Sequence, residues 1–433
     1  MYRAINDLPD ELLAAIFEEL ERAERGARDM IPPRPEWEQP RGISYLRLPT
    51  RNKFNVTSVS HRWFSIASST PRLWDELYID IDWDAVTLAN ALQQTLNRSK
   101  NLPLTVSITN LTTQPFTQTG PIAYGEWNIR QTGKLLSIKG LFATLAPISP
   151  RISSLAFGIS RPSDGYDLLS RWTSPLPTVQ VVSIEAIWLE KDDICLELPL
   201  RFLSCIRAPS IIHITNFQEM TWILEDSHTL PFTKIWMNGL GLTSNLLALV
   251  KLCNNLDSLQ LFNLDDFHED SWIYEELTFA SVREIHIDTC SSNFVQQLVQ
   301  ACPFPTFPNV THLTVYDALY PLVQGFHQVF AYNFPSLQEL SVYLDTTEEH
   351  EEHALFLCNL PPQLQVLRFV GLFVDGFIAY LLQQPAYLSD LRVLWLYGCF
   401  GSKPEDIEEL EALMEVRDLD VTVYDSDGED KSV

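Results

Sequence analysis

Basic side chains are scarce in this 433-residue chain: 30 Lys and Arg stand against 56 Asp and Glu, a formal net charge of −26. A surface that acidic repels phosphate backbones, which argues against nucleic-acid binding and suits a basic partner. Glycine is sparse too, at 16 residues, and neither a Gly-rich phosphate loop nor a Gly-x-Ser-x-Gly elbow occurs. Nowhere do about 18 apolar residues run together, so no membrane span is expected. Met1 to Asp7 holds no apolar stretch of signal-peptide length, so no secretory route is expected either. The seven cysteines (Cys195, Cys205, Cys253, Cys290, Cys302, Cys358, Cys399) are scattered, odd in number and never arranged as Cys-x-x-Cys. That usage fits reduced, mostly buried thiols in cytoplasm or nucleus. It also leaves the Asn-x-Ser/Thr triplets at Asn55, Asn97, Asn110 and Asn309 as chance matches.

The two stretches that invite a metal do not have its spacing. His350-Glu351-Glu352-His353 separates its imidazoles by three positions, whereas a zinc-protease helix needs four. With Glu348 and Glu349 before it, the segment reads as an acidic, solvated helix start. Asp425-Ser426-Asp427-Gly428-Glu429-Asp430 carries its glycine at the fourth position, where a calcium loop requires the sixth, and reads as an acidic tail. No order or spacing of Ser, His, Asp and Cys selects a catalytic group. The expectation is a protein with no catalytic site, no metal and no cofactor.

What the chain does have is apolar pattern. Its 46% hydrophobic content excludes wholesale disorder, and its length exceeds what one compact core usually fills. Near the start, Leu8, Leu12, Ile16 and Leu20 recur every fourth residue, with Leu13 and Phe17 beside them, which predicts a short amphipathic helix. Pro9 suits its first turn, and Asp10 and Glu11 put negative charge at the positive end of the dipole. Phe54 to Ser68 reads as a further helix, carrying Val59-Ser60-His61-Arg62-Trp63, and Thr70-Pro71-Arg72-Leu73-Trp74 follows.

Those three segments in that order resemble the F-box, a helical module that docks onto the Skp-family adaptor of cullin-RING ubiquitin ligases. The resemblance covers Ile5 to about Asp80. It implies that Leu8, Pro9, Leu12, Ile16, Leu20, Val59, Trp63 and Trp74 are adaptor contacts or the packing beneath them. One departure stands out: Glu21 to about Arg51 is inserted between the two halves and contains Pro32, Pro33, Pro35 and Pro40, which cannot continue a helix.

Beyond the module, Leu77–Asp82 and Leu102–Ile108 alternate like strands, Thr87–Asn97 is an amphipathic helix, and Thr109–Gly133 is an irregular Thr/Gln/Pro/Gly-rich loop. From Arg151 an apolar-x-x-apolar-x-apolar core returns every 23 to 30 residues. Its units start at Ile152, Val179, Pro209, Phe232, Leu256, Val282, Val310, Leu337, Leu364, Leu391 and Val416. Helix-like segments lie between, as at Phe294–Ala301, Gly376–Leu382 and Pro404–Met414. Such strands cannot bury their faces alone but can when stacked. The pattern resembles degenerate leucine-rich repeats, since the family's Asn/Cys position holds Cys290 and Cys399 in two units but Leu264, Ala318 and Leu372 in others.

The expected fold class is therefore α/β: a small helical module followed by a leucine-rich-repeat solenoid, a horseshoe with parallel strands on the concave face and helices outside. The expected divisions are 1–80 for the split module, 81–150 for a bridging and atypical repeat region, 151–424 for the solenoid and 425–433 for the tail. Period-2 alternation would send Tyr316, Tyr343, Arg368, Trp395 and Tyr397 to the concave face. Tyr, Trp and Arg dominate interface hot spots, so these five are the candidate substrate contacts; aromatics are also ordinary strand formers that pack on one another. The combined resemblance implies a non-catalytic substrate receptor, with an adaptor, a cullin behind it and an unknown protein target as partners. The alternative is a repeat scaffold that engages no cullin complex.

Overall fold

The computed structural model of the chain describes residues 8–29, 52–80, 85–109, 141–143, 145–159, 169–186, 195–215, 219–223, 229–239, 243–264, 279–291, 294, 307–316, 330–343, 360–371, 374–384, 386–399, 404–416 and 420–424. The proline cluster at 32–40, most of the 109–133 loop, the 350–353 histidine pair, most of the helix expected at 294–301 and the tail at 425–433 lie outside them. The chain divides into two compact units, Met1–Pro231 and Phe232–Val433.

The first unit opens with helices α1 (Asp10–Asp29), α2 (Asn52–Val59) and α3 (His61–Ser69), followed by a tight 3-10 turn at Pro71–Leu73. Helix α1 runs well past Leu20, into residues that the sequence reading gave to the insertion. Glu21 to Asp29 is rich in Glu, Arg and Ala, good helix formers, and the first proline comes only at Pro32. The single helix expected over Phe54–Ser68 is two, because Ser60 leaves the helical conformation and its side chain caps α3 by accepting the Trp63 N–H at 3.2 Å. Strands β1 (Glu76–Asp80), β2 (Leu104–Thr109), β3 (Ile152–Ile159), β4 (Val181–Ala186), β5 (Cys195–Pro199), β6 (Ser210–Thr215) and β7 (Glu219–Ile223) follow, with α4 (Ala85–Ser99) between β1 and β2. β1, β2, β3, β4 and β6 lie side by side in parallel, and β5 pairs separately with β7. The helical module therefore runs straight into the first strand of the array.

In the second unit, β8 (Phe232–Asn238), β9 (Ser258–Phe262), β10 (Glu284–Asp288), β11 (His312–Tyr316), β12 (Glu339–Tyr343), β13 (Val366–Val370), β14 (Val393–Tyr397) and β15 (Asp420–Tyr424) are parallel neighbours in chain order. Between them lie α5 (Thr243–Leu252), α6 (Phe330–Asn333), α7 (Asp375–Gln383) and α8 (Pro404–Val416). Parallel order with return connections is the α/β repeat arrangement the pattern predicts.

The register places each apolar core on the next. Leu259 pairs with Ile285, Ile285 with Leu313, Leu313 with Leu340, Leu340 with Leu367 and Leu367 with Leu394. Each of these side chains is at most 3% exposed. Burying three such side chains per strand gains roughly 5–9 kcal/mol of transfer free energy, which offsets the ordering of the strand only where neighbours cover both flanks.

Two repeat units depart from the expected frame. Pro209 is exposed and contributes nothing to the first core position of its unit; Ile206, three residues earlier, is 2% exposed and bridged to Leu176, which stands three residues before Val179. The last unit does not start at Val416, which ends α8; its strand pairs Leu394 with Val421 and Leu396 with Val423, two residues further on than expected.

Two further ladders hold the second unit, and neither was foreseen from the sequence. Phe279, Phe307 and Phe334 each precede a core position by three residues and stack at 5.0 and 4.9 Å into a buried spine. At the other strand end, the residue after the strand takes positive φ: Asn263 (50°), Thr289 (51°), Gly371 (69°) and Gly398 (56°). That turn aims the Asn263, Thr289 and Gly371 N–H groups at the last carbonyl of the next strand, at 2.9 to 3.0 Å. The Cys290 and Cys399 thiols then donate to strand-end carbonyls at 3.5 to 3.7 Å.

Candidate protein-interaction surfaces

The helical module is packed by Leu13 and Phe17 of α1 against Val56, Ile66, Ala67, Leu73 and Trp74, with Leu8, Ala14 and Trp63 partly covered at its edge. Three parts of the sequence pattern have local reasons. Pro9 sits before α1 and its carbonyl accepts the Leu13 N–H at 3.1 Å. Arg62 reaches back from α3 to donate to Asp10 Oδ1 at 2.6 and 2.9 Å and to the Leu8 carbonyl, tying the two helix starts together. Trp74 is 3% exposed, and its indole N–H donates to the Ala67 carbonyl at 2.8 Å, closing the end of α3. Arg98 of α4 lays its guanidinium 4.2 Å over the same indole, a cation–π contact that joins the module to the strand array of its unit.

Helix α1 therefore has two apolar stripes, one buried and one exposed. Leu13 and Phe17 are 0% and 1% exposed, whereas Leu12, Ile16 and Leu20 are 52%, 42% and 45% exposed. At i, i+4 spacing these three form one continuous ridge on the outside of the helix. Val59, at the end of α2, and Phe64, in α3, are 58% and 45% exposed. The eight residues carried over by resemblance thus divide. Trp74 is interior, and Trp63 is half-buried with its ring 4.9 Å from that of Phe17. Leu8 is half-buried, and Pro9, Leu12, Ile16, Leu20 and Val59 face outward. Phe64 is not among the eight, although it is as exposed as the ridge; the Arg98 guanidinium lies 5.7 Å from its ring centre.

The five residues marked on the strands do lie on the face opposite the core triplets. Tyr316 and Tyr343 are in register and their rings stack at 5.6 Å and 21°. Arg368 and Trp395 are in register on β13 and β14, and the Trp395 and Tyr397 rings lie 5.8 Å apart at 28°. All five are half-buried. Between the two ring pairs, Val370 is 8% exposed.

Arg368 is not a bare cation. It donates to Glu339 Oε2 at 3.3 Å and to Ser341 Oγ at 3.5 Å, while His312 Nε2 lies 3.3 Å from the other oxygen of Glu339. Glu339 is therefore the hub of this face, a role no spacing rule singles out. Burial raises the Tyr343 phenol above its usual range; a hydrogen bond with Ser341 and the Arg368 charge oppose the rise. Further along, the same face closes over: Trp236, Phe262 and His286 stack at 4.8 and 5.0 Å and are 3%, 2% and 8% exposed. Burial pushes the His286 imidazole down to about 4, so it is neutral at pH 7.

A polar groove of about 720 Å³ runs along the edge where β9 to β12 begin, lined by Asp257, Arg283, Asn309, Thr311, Ser336 and Gln338 among others. Its side chains are committed to the repeat itself: Asn309 donates to the Ala280 carbonyl and Ser336 to the Pro308 carbonyl. Among the described residues no three His, Cys, Asp or Glu side chains are grouped to hold a metal, and no helix is long and apolar enough to cross a membrane.

The first unit thus opens with a small helical module that carries an exposed apolar ridge, and parallel-strand repeats follow it in the chain. A family model described as F-box-like matches residues 5–80, the stretch that holds that ridge and its packing. No curated protein matches the chain.

Proposed function

We propose that this chain is a non-catalytic substrate-recognition subunit of an SCF-type ubiquitin ligase. Residues 1–80 bind a Skp-family adaptor and, through it, a cullin; the leucine-rich-repeat-like strands of residues 151–424 hold the target protein. The ligase then acts by proximity, with the covalent chemistry on other subunits. The observation that carries this reading is the Leu12–Ile16–Leu20 ridge, left exposed beside the buried Leu13 and Phe17 on the same helix, within the F-box-like match. Burying the remaining half of each ridge side chain in a partner groove gains roughly 1 kcal/mol apiece, and Val59 and Pro9 extend the contact. Tyr316, Tyr343, Arg368, Trp395 and Tyr397 are the proposed substrate contacts.

The test is a pull-down of the intact chain with a purified Skp-family adaptor, beside Ile16→Asp and Leu12→Ala/Leu20→Ala variants checked for folding by circular dichroism. The intact chain should retain the adaptor, and both folded variants should lose at least about tenfold in affinity. An intact chain that does not bind would make it a repeat scaffold outside the cullin system.

A further inference from the structure

On the second unit's outward strand face, three kinds of group converge. Glu284, His312 and Glu339 occupy one register row across β10, β11 and β12. Glu284 is exposed and has no ion-pair partner among the described residues, whereas Glu339 already spans His312 and Arg368 at 3.3 Å each. Alongside stand the two ring pairs, Tyr316 with Tyr343 and Trp395 with Tyr397.

Arg368 shows how this face holds a guanidinium: against a carboxylate and a serine hydroxyl, near enough to Tyr343 for its charge to act on the phenol. That is the same set of groups an arginine from another protein would need. Carboxylates supply charge-assisted hydrogen bonds, and Tyr and Trp faces attract cations through their quadrupoles. The chain's formal charge of −26 steers basic partners toward it and repels acidic ones.

We infer that the face of β10 to β14 takes a basic, extended segment of its partner protein. Arg or Lys side chains of that segment meet Glu284 and Glu339 and lie across the rings of Tyr343 and Trp395. This rests on the reading of the strands as the target-binding part. An acidic segment is the rival occupant: it would have to displace Glu339 from Arg368 and enter against the net charge.

The probes are two synthetic peptides of about twelve residues, one alternating Arg with Gly and Ser, the other alternating Glu with Gly and Ser, titrated calorimetrically into the full chain at about 50 and about 200 mM NaCl. The arginine peptide should bind, and its affinity should fall several-fold at the higher salt. Glu284→Gln/Glu339→Gln and Tyr343→Ala/Trp395→Ala should each weaken it about tenfold. Glu408→Gln/Glu409→Gln removes the same charge from the exposed side of α8 and should change affinity less than about twofold. Equal weakening by the two charge variants would reduce the effect to net charge and overturn the inference. So would a glutamate peptide that binds as tightly, or no arginine-peptide binding at all. Circular dichroism on each variant separates lost contacts from lost fold. Adaptor pull-down on the same samples separates the two readings: adaptor held without the arginine peptide sinks only this inference, and adaptor not held sinks the receptor reading whatever the peptide does.

Discussion

Helix α1 and the strands β9 to β14 treat the same kind of apolar pattern in opposite ways. In the strands every second residue is apolar and nearly all of those are buried, because a parallel neighbour stands on each side. In α1 two apolar stripes alternate around the helix, and α2, α3 and the 3-10 turn cover only one. A stacked repeat supplies its own partners, so its hydrophobic pattern reads out packing. In the helical module the neighbours of α1 cover only part of it, and the part left exposed is the surface proposed above for the adaptor. The sharpest way to break that distinction is to truncate one residue from each stripe. Phe17→Ala should cost about 3–5 kcal/mol in urea unfolding, since it empties the centre of the module core. Ile16→Ala, one position away and 42% exposed, should cost less than about 1 kcal/mol while weakening adaptor binding. Equal costs would mean that the ridge is core, and the docking argument would lose its basis.

Within the second unit the contrast is between the open face at Tyr316 to Tyr397 and the closed face at Trp236 to His286. The closed part holds an imidazole that is neutral because it is buried, with Phe262 stacked against it. The sign of the pH effect follows. The folded pKa, about 4, lies below the ordinary value of 6.5, so below pH 6.5 the unfolded chain binds a proton that the folded one refuses. Stability from this group is full above pH 6.5 and is lost as pH falls toward 4. Between pH 7 and pH 5 the loss from this one residue should be about 2 kcal/mol. Denaturant curves of the intact chain and a His286→Phe variant at both pH values measure it by difference, with carboxylate contributions cancelling. Parallel pH slopes would mean that the imidazole is solvated and that the face is open throughout.

How much of this was legible follows from which signals are local. Apart from the exposed Pro209, the core positions were read correctly from Ile152 to Leu391 because strand alternation and repeat spacing agree there. The last unit was misplaced because Leu419, Val421 and Val423 share one parity; alternation alone cannot choose between Leu419/Val421 and Val421/Val423, whereas the register chooses the latter. On α1 the apolar residues were read as one stripe at helical spacing, without a division into an inner and an outer row, since that division depends on where α2 and α3 come to lie. Trp74 was indistinguishable from a contact residue for the same reason: its burial is set by Ala67, Leu73 and Arg98 around it. The outward rows at Tyr316, Tyr343, Arg368, Trp395 and Tyr397 were placed correctly by period two. That Glu339 pairs with Arg368 was not, because cross-strand neighbours lie 29 residues apart in sequence.

The strand-end turns allow a smaller test of the repeat regularity, and one with the opposite sign. Gly371 and Gly398 take positive φ at this position, and Asn263 does so at modest cost, but Thr289 is β-branched and does so at φ 51°. Its hydroxyl bonds the Asp288 carboxylate, which is the only compensation its side chain shows among the described residues. Relief of the backbone should outweigh that bond and the extra entropy of glycine in the unfolded chain, so Thr289→Gly should stabilise the unit by up to about 1 kcal/mol. Thr289→Ala, which loses the bond and keeps a Cβ, should destabilise it by a similar amount. If Thr289→Gly were instead as harmful as Thr289→Ala, the hydroxyl–carboxylate bond would be what holds this turn. The periodic positive φ would then be a consequence of the strand ladder and not a requirement that the sequence has to meet.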